Sequence, residues 1–479
     1  MNFSKNLKKL LNIIAQIDIL LFRHYFVHFW RLYMKVQYIS SACVLLEHQG
    51  IRILCDPWLT DGIYYGSWFH YPPLKYTPED FGDVDYIYIS HIHPDHMDME
   101  TLRRLPRSIP ILIHDYAEKF VLRNLENLGF ENLREVQHKE VVNLSDTFTL
   151  EILAADNCDP SICGKFMGCS VITPYNKTIQ IDTLAVFHAN GKTVVNTNDC
   201  PFELSYSVCD YIKSKYNTID FLLVGYAGAG PFPQCFEMDE NNKVTKALEK
   251  KQQFLNQTLL FLNRLQPLSF MPFAGQYHLG GRLAKLNEYR GVPEIEDLPE
   301  IFASLLHKNQ IKTECILLNS GEWLDIEKGL VSNPFIPPSK EERDTYIQEV
   351  LSLKKYVYEI HKYDYENPEQ VLIKLSEAHQ RMKRYQDKDN YWSEWCIYLD
   401  IGHPVLYKIP FNGDAVSIVE PGMEIQPFVR ISLNYDLFMM ILNRKAHWNN
   451  AEIGSHLHYK RQPDMFERGV YHFLSYLHV

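Results

Sequence analysis

Nine consecutive residues carry the clearest chemistry in this sequence. Ser90 to Asp98 read SHIHPDHMD, with imidazoles at positions 91, 93 and 96 and a carboxylate at position 95. Neutral imidazole and carboxylate oxygen are ligands that suit Zn²⁺, Fe²⁺ or Mn²⁺. A lone histidine is more often structural. Four ligand-type residues within six positions instead predict a site for one or two divalent metal ions, formed by His91, His93, Asp95 and His96.

The elements on either side of this segment would gather its side chains at one loop. Residues 83–90 form a nearly continuous β-type run that ends directly at His91, and an amphipathic helix pattern follows at 99–105. Side chains that emerge where a strand gives way to a helix can converge on one ion. A predicted hairpin over 36–55 leads into Asp56, which we expect to orient a metal-bound histidine from outside the ligand set.

Strands and helices alternate through the rest of the first two thirds of the chain. The strand-like runs are at 109–113, 147–154, 178–188, 193–197 and 220–225, and the helix patterns are at 117–128 and 244–265. This order predicts an α/β fold of the αββα type, in which two sheets are sandwiched between helices. Residues 321–340, which include three prolines, predict a linker, and two helices are expected beyond it at 341–362 and 368–387.

The motif resembles that of the metallo-β-lactamase superfamily, whose HxHxDH signature is complete here, and the resemblance covers residues 36–328. It implies the αββα sandwich and two metal sites. The first pair of histidines would serve one site, while Asp95 and His96 would serve the other. Asp199, which follows a hairpin strand, is the implied bridging ligand, and His278, after a strand that follows a helix, is the implied final ligand.

The sequence departs from the family pattern at the third histidine of the first site. The corresponding loop, residues 154–160, reads AADNCDP and contains no histidine. Asp156 is our candidate for its replacement, with Asp159 as the alternative. His188 lies in a hairpin and is better explained as a surface histidine on an edge strand. A single metal ion, held by the complete second site, remains an alternative to two ions.

Five further segments resemble the catalytic domain of CMP-N-acetylneuraminate hydroxylases. They are ACVLLE at 42–47, LCDPWL at 54–59, CGKFMGC at 163–169, NTNDC at 196–200 and PFAG at 272–275. That family implies iron and a Rieske iron–sulfur centre. A Rieske centre needs two cysteines and two histidines, commonly in CxH and CxxH pairs. The sequence has neither pair, so we expect a hydroxylase-like domain without a Rieske module.

Three functions are compatible with these residues. The leading interpretation is a metal-dependent hydrolase, in which a metal-activated water attacks an ester, phosphoester or lactone. Asp95 or Asp199 would orient that water and take up its proton, and Tyr226 would hydrogen-bond the substrate unless it is a packing residue. The alternatives are a non-haem iron oxygenase acting on a nucleotide sugar or related carbohydrate, and a non-catalytic metal-binding scaffold.

Composition limits the partners and the compartment. The 479 residues are enough for two domains, and a net charge of −11 argues against a nucleic-acid partner. A small-molecule substrate, such as an activated sugar or a lipid, is expected instead. Ten cysteines are scattered without a CxxC pair. Buried thiols in a reduced, cytoplasmic protein are therefore favoured over a metal or redox cluster formed by Cys158, Cys163 and Cys169.

The two ends of the chain have weaker patterns. Residues 1–35 predict a basic amphipathic helix that packs on its own domain or on a second subunit of a homo-oligomer, with peripheral contact to a membrane surface as the alternative. Residues 329–390 predict a linker and helices. Residues 391–479 predict an α+β domain that weakly resembles sterol-carrier-like domains, with a structural or dimerising role favoured over a lipid or acyl cavity.

Overall fold

The computed structural model describes residues 33–155 and 182–479. Seventeen strands lie in the part of the described chain that precedes residue 332. They are β1 (Lys35–Ser40), β2 (Cys43–His48), β3 (Ile51–Cys55), β4 (Trp68–Phe69), β5 (Tyr86–Tyr88), β6 (Ile111–His114), β7 (Leu133–Val136), β8 (Val141–Asn143), β9 (Phe148–Ala154), β10 (Thr183–Ala189), β11 (Lys192–Asn196), β12 (Phe221–Gly225), β13 (Ser269–Phe273), β14 (His278–Leu279), β15 (Glu314–Cys315), β16 (Trp323–Asp325) and β17 (Leu330–Val331).

The remaining strands lie near the C-terminus: β18 (Ser393–Asp400), β19 (Leu406–Phe411), β20 (Ser417–Val419), β21 (Phe428–Ser432) and β22 (His458–Gln462). The helices are α1 (Met99–Arg104), α2 (Phe120–Asn127), α3 (Phe202–Lys215), α4 (Glu240–Leu265), α5 (Leu298–Asn309), α6 (Lys340–Glu349), α7 (Val357–Ile360), α8 (Pro368–Asp389), α9 (Tyr435–Leu442), α10 (Trp448–Ile453) and α11 (Arg468–Leu474). Single turns occur at Ile63–Gly66, Pro78–Phe81, Ile295–Asp297 and Leu351–Leu353, and a nine-residue 3₁₀ helix spans Gly281–Tyr289.

Two large sheets pack face to face. Their strand orders are β17-β16-β1-β2-β3-β5-β6-β7 and β15-β13-β12-β11-β10-β9-β8. Because side chains alternate along a strand, Ile53 and Cys55 of β3 join the core between the sheets with Phe148, whereas Leu54 packs on the outer face with Leu125 of α2. Helices α3 and α4 cover the outer face of the second sheet. The predicted αββα sandwich is confirmed.

The stretch at 321–340, expected as a linker, contributes strands to the first sheet. Leu324 of β16 pairs with Val36 of β1, and β17 pairs with β16. These strands are two or three residues long, too short for a periodic pattern to reveal them. The helix expected at 341–362 is broken into α6 and α7, while the helix expected at 368–387 is α8, capped by the side chain of Asn367.

The C-terminal region is built on a third sheet, with strand order β20-β19-β18-β21-β22. Its hydrophobic core is continuous with the core beneath α3 and α4. The amide of Tyr459 donates to the carbonyl of Cys235 over 2.9 Å, and the Tyr459 ring stacks on Phe236. The α+β pattern of this region is therefore present, while the expected boundaries at residues 328 and 390 stay predictions.

Several sequence predictions fall on residues 1–32 and 156–181 and so lie outside the described residues. They concern the amphipathic helix, the candidate ligands Asp156 and Asp159, and the cysteines Cys158, Cys163 and Cys169. Of the seven cysteines that are described, six are buried and all are free thiols. No helix in the described ranges has the length and apolar character needed to cross a membrane.

Limited proteolysis of the folded protein with subtilisin should cut first at residues 333–340. Exposed, proline-interrupted main chain opens more readily than sheet or packed helix, and Ile336 in this stretch is 73% exposed. The fragments would be identified by mass spectrometry. Cleavage inside residues 36–318 while residues 333–340 stay intact would contradict the proposed boundary.

Candidate metal centre

The SHIHPDHMD segment forms a tight loop between β5 and α1. The amides of His96 and Met97 both donate to the carbonyl of His93, over 2.9 and 2.8 Å. Asp98 caps α1 by accepting from the amides of Glu100 and Thr101. This loop conformation directs three motif side chains into the protein interior. The buried residues are His91, Asp95 and His96.

Two groups of ligand atoms meet beside this loop. One consists of His91, His93 and Asp182, and the other of His91, His96 and Asp199. Within each group, one ligand atom per residue lies within 4.8 Å of the others. The Nε2 atom of His91 is 3.8 Å from Asp182 Oδ1, and the Nε2 atom of His96 is 3.3 Å from Asp199 Oδ2. The two groups share His91 and therefore form one centre.

Asp95 completes the motif at the same place. Its Oδ2 lies 3.6 Å from His96 Nε2, and its Oδ1 accepts a 2.6 Å hydrogen bond from the hydroxyl of Tyr64. Tyr64 sits in the turn Ile63–Gly66, where it and Tyr65 have left-handed backbone angles, with φ of 51° and 61°. The carbonyl of Tyr64 lies 2.8 Å from the Nε2 of His456 in the C-terminal region. That region therefore contacts the residue that holds Asp95.

Asp56 organises two of the candidate ligands. Its Oδ2 lies 2.7 Å from His96 Nδ1 and accepts from the Ser90 hydroxyl over 2.6 Å, while its Oδ1 accepts from the Ser90 amide. Since the hydroxyl hydrogen of Ser90 is given to Asp56, Ser90 Oγ accepts from His91 Nδ1, 3.0 Å away. Both Nδ1 atoms are then protonated, which leaves the Nε2 lone pairs of His91 and His96 directed at the centre. Asp56 therefore contacts a candidate ligand directly, as its expected orienting role requires.

Asp182 is the site residue that sequence reasoning missed. It precedes β10, where Thr183 pairs with Ala154 of β9, and the amide of Ala155 donates to the Asp182 carbonyl. Asp182 thus lies at the same end of this strand pair as the loop in which Asp156 was expected to replace the missing histidine. The signal that could have identified Asp182 is its position at the start of β10, the strand that pairs with β9, which leads into that loop.

Two predicted site residues lie elsewhere. His278 belongs to β14, its Nε2 is 3.3 Å from Glu294, and it is in neither group of candidate ligands among the described residues. Burial and the charge of Arg290 lower the pKa of His278 to about 4. Tyr226 is buried beside Tyr38 and Gln276, in a separate small cavity.

His188 also lies outside the centre. It was expected on an edge strand, but β10 lies between β9 and β11, so that expectation is wrong. Its Nδ1 lies 3.0 Å from the hydroxyl of Thr193.

The charges of the centre depend on one another. Burial, together with His96 and His93, lowers the pKa of His91 well below its usual value. Burial opposes a charge on His96 as well, but Asp199, Asp56 and Asp95 raise its pKa well above the usual value. Burial and the neighbouring Asp199 raise the pKa of Asp182 to about 8. Metal ligands must be deprotonated, so an ion entering this centre would displace protons from His96 and Asp182.

Residues 35–155 match the Beta-lactamase superfamily domain. This range contains the SHIHPDHMD segment, Asp56 and Tyr64. Together with the two packed sheets, the match shows that the chain carries a metallo-β-lactamase fold.

Curated relatives match over about half of the chain. A protein of Mycolicibacterium smegmatis that carries the name of a Rieske 2Fe-2S iron-sulfur protein is 30% identical over 264 residues, which are 54% of this chain and 47% of the relative. The cytidine monophosphate-N-acetylneuraminic acid hydroxylase of Danio rerio is 26% identical over 280 residues, 55% of this chain and 42% of the relative. The chain thus spans about half the length of the curated relatives it matches.

Solved structures with a similar arrangement include an isothiocyanate hydrolase from Delia radicum gut bacteria, with a TM-score of 0.42, 15% identity, and coverage of 61% of this chain and 98% of that one. Another is CmlA, a diiron β-hydroxylase from Streptomyces venezuelae, with a TM-score of 0.37, 16% identity, and coverage of 61% of this chain and 54% of that one. One neighbour is named a hydrolase and the other a hydroxylase.

Proposed function

We propose that this chain, which carries a beta-lactamase superfamily domain, is a metal-dependent hydrolase acting on an ester, phosphoester or lactone. The observation that carries the proposal is the pair of ligand groups that share His91. Their imidazole and carboxylate donors suit Zn²⁺, Mn²⁺ or Fe²⁺. The residues also fit an ion because the buried Nε2 of His96 faces Asp95 and Asp199 yet has no hydrogen-bond partner among the described residues.

Six residues of the centre, the five of the two ligand groups and Asp95, would be divided between two metal ions. His91, His93 and Asp182 would hold one ion. His96 and Asp199, together with Asp95 beside His96, would hold another, and His91 belongs to the ligand group on this side as well. A divalent ion at this position supplies Lewis acidity, which polarises a carbonyl or phosphoryl oxygen and lowers the pKa of water.

The three carboxylates of the centre differ in their hydrogen bonding and in their exposure to water. Asp95 is engaged by Tyr64, and the side chains of Asp95 and Asp182 are only 5% and 7% exposed. The side chain of Asp199 is 30% exposed, so it alone of the three is open to incoming water. We therefore assign to Asp199 the uptake of the proton from the attacking water, and to Asp95 a holding role with Tyr64. Asp56 and Ser90 keep His91 and His96 in the ligating tautomer.

A second candidate, iron-dependent oxygenation, is favoured by one specific observation. With Asp182 in place of a third histidine, the first set has two histidines and one carboxylate, a combination found in non-haem Fe(II) oxygenases. The relatives named as hydroxylases are consistent with this alternative. Its substrate would then be a nucleotide sugar or related carbohydrate.

The two candidates differ in their need for oxygen. We expect the purified chain, loaded with Zn²⁺ or Mn²⁺, to hydrolyse a member of a panel of activated esters, phosphoesters and lactones at the same rate under argon and in air. Asp199→Asn should lower that rate by about 10² to 10³-fold, because a positioned general base contributes on this scale. His307→Ala, a change at an exposed histidine of α5, is the matched control. Oxygen uptake with Fe²⁺, a reductant and CMP-N-acetylneuraminate, coupled to a hydroxylated sugar, would instead establish the second candidate.

A further inference from the structure

A cavity of about 750 Å³ lies between the SHIHPDHMD loop and the C-terminal region. His93 and Pro94 line it on one side, and residues of α10 and α11, including Trp448 and Arg468, line it on the other. Its volume lies within the range of roughly 300 to 1,000 Å³ that is usual for small-molecule sites. Because His93 is also a candidate metal ligand, a molecule in this cavity would adjoin the metal centre.

Much of the cavity wall is apolar. Phe120 from α2 and Phe466 from the segment before α11 both line it, and they are 53% and 61% exposed. Met97, Met99 and Ile453 extend the apolar wall between them. Exposed aromatic side chains on both sides of one cavity mark a surface that gains free energy when an apolar group covers it.

One arginine in the wall forms no ion pair with any described residue. Arg468 lines the cavity, and its Nε and Nη2 atoms are shielded from water without a hydrogen-bond partner in the described part of the chain. Leaving buried donors unsatisfied is costly, and two guanidinium N–H groups match the paired oxygens of a carboxylate or phosphate. Glu452 also lines the cavity, but it forms no ion pair with Arg468 within residues 33–155 and 182–479, and burial raises its pKa to about 7.

We propose that this cavity binds an amphiphilic anion: a small molecule with an apolar acyl or aryl body and one carboxylate or phosphate group. The anionic group would lie on Arg468, the apolar body between Phe120 and Phe466, and the reactive bond towards His93. The inference rests on the proposed hydrolase function and names its substrate class. A nucleotide sugar, which has no apolar acyl or aryl body, would leave the exposed rings of Phe120 and Phe466 uncovered.

Calorimetric titration of the metal-loaded chain with octanoate and with octyl phosphate tests the proposal, and comparison of the two probes shows which anion is preferred. Arg468→Gln should weaken binding of the preferred anion by about tenfold or more and leave 1-octanol unaffected. Arg468→Lys, which keeps the charge but not the paired donors, should fall between. Phe466→Ala, an exposed change, should weaken binding of the anions and of octanol alike. Arg384→Gln, at an exposed arginine of α8, is the matched control.

The design separates this proposal from the hydrolase proposal. Binding of the preferred probe should persist in Asp199→Ala, since the anion contacts Arg468 and not the metal. Loss of binding in Asp199→Ala together with unchanged binding in Arg468→Gln would mean that the probe sits on the metal, and would overturn the inference. Absence of binding by either anion to the metal-loaded chain, or tighter binding of CMP-N-acetylneuraminate than of both anions, would also overturn it. Failure to find a hydrolysed substrate would leave these binding results intact.

Discussion

Alanine at His96 or at Asp199 should strip metal from the protein and lower turnover by at least about 10³-fold, while the chain stays folded. Each residue supplies a ligand atom to the group that also contains His91. Removing one of three protein ligands leaves an ion too weakly held to survive dialysis. Metal content would be measured by inductively coupled plasma mass spectrometry, and folding by circular dichroism.

The same measurements locate the third ligand of the first set. Asp182→Ala should lower metal content, because Asp182 Oδ1 lies beside His91 Nε2. Asp156→Ala tests the position expected from the sequence, and His307→Ala is the control outside the centre. A stable protein with both His93→Ala and His96→Ala that retained its full metal content would remove the basis for the site.

Asp56→Asn should weaken metal binding by about 10 to 100-fold without removing any ligand, the scale usual for partners that orient metal-bound histidines. An amide can donate a hydrogen where Asp56 now accepts from His96 and Ser90. The Nδ1-protonated tautomers of His96 and His91, which present Nε2 to the metal, would then no longer be favoured over the other tautomers. Asparagine suits the left-handed backbone of this position, where φ is 45°, so the main chain should not change.

The affinity would be measured by competition with a chelator of known strength. Ser90→Ala separates the two histidines, because Ser90 links Asp56 to His91 while His96 contacts Asp56 directly. It should therefore have the smaller effect. Asp146→Asn, at an exposed carboxylate, is the matched control. An Asp56→Asn protein with unchanged affinity would show that the tautomers do not depend on Asp56.

The parts of the centre that are local in sequence could be predicted, and those that depend on distant packing could not. The four motif residues lie within one loop, so their convergence follows from the strand before them and the helix after them. Asp182 becomes a neighbour of His91 only because β10 pairs with β9, and a carboxylate at the start of β10 points to the site only once that pairing is known. The contact of Tyr64 with Asp95 depends on a turn of left-handed residues, a conformation that tyrosine rarely adopts.

His278 lies apart from the two ligand groups of the described residues for a similar reason. The helix α4 and the strand β13 occur where the pattern predicts them. The chain then passes through Ala274 and Gly275, both with positive φ, and His278 itself begins β14, where it pairs with Phe69 of β4. The overall sandwich could be predicted because alternating strands and helices extend over many residues. Strands as short as β16 and β17 could not, because they are defined by pairing, β16 with β1 and β17 with β16.

Tyr64 joins the metal centre to the C-terminal region, since its hydroxyl holds Asp95 and its carbonyl meets His456. The two regions also share one hydrophobic core. They should therefore melt in a single cooperative transition. An ion that binds only the folded centre adds about 2.7 kcal/mol of stability at a hundredfold excess over its dissociation constant. Through Tyr64 and the shared core, that gain would extend to the C-terminal region, so chelation should lower the melting temperature of both regions together and not only that of the loop that holds the metal.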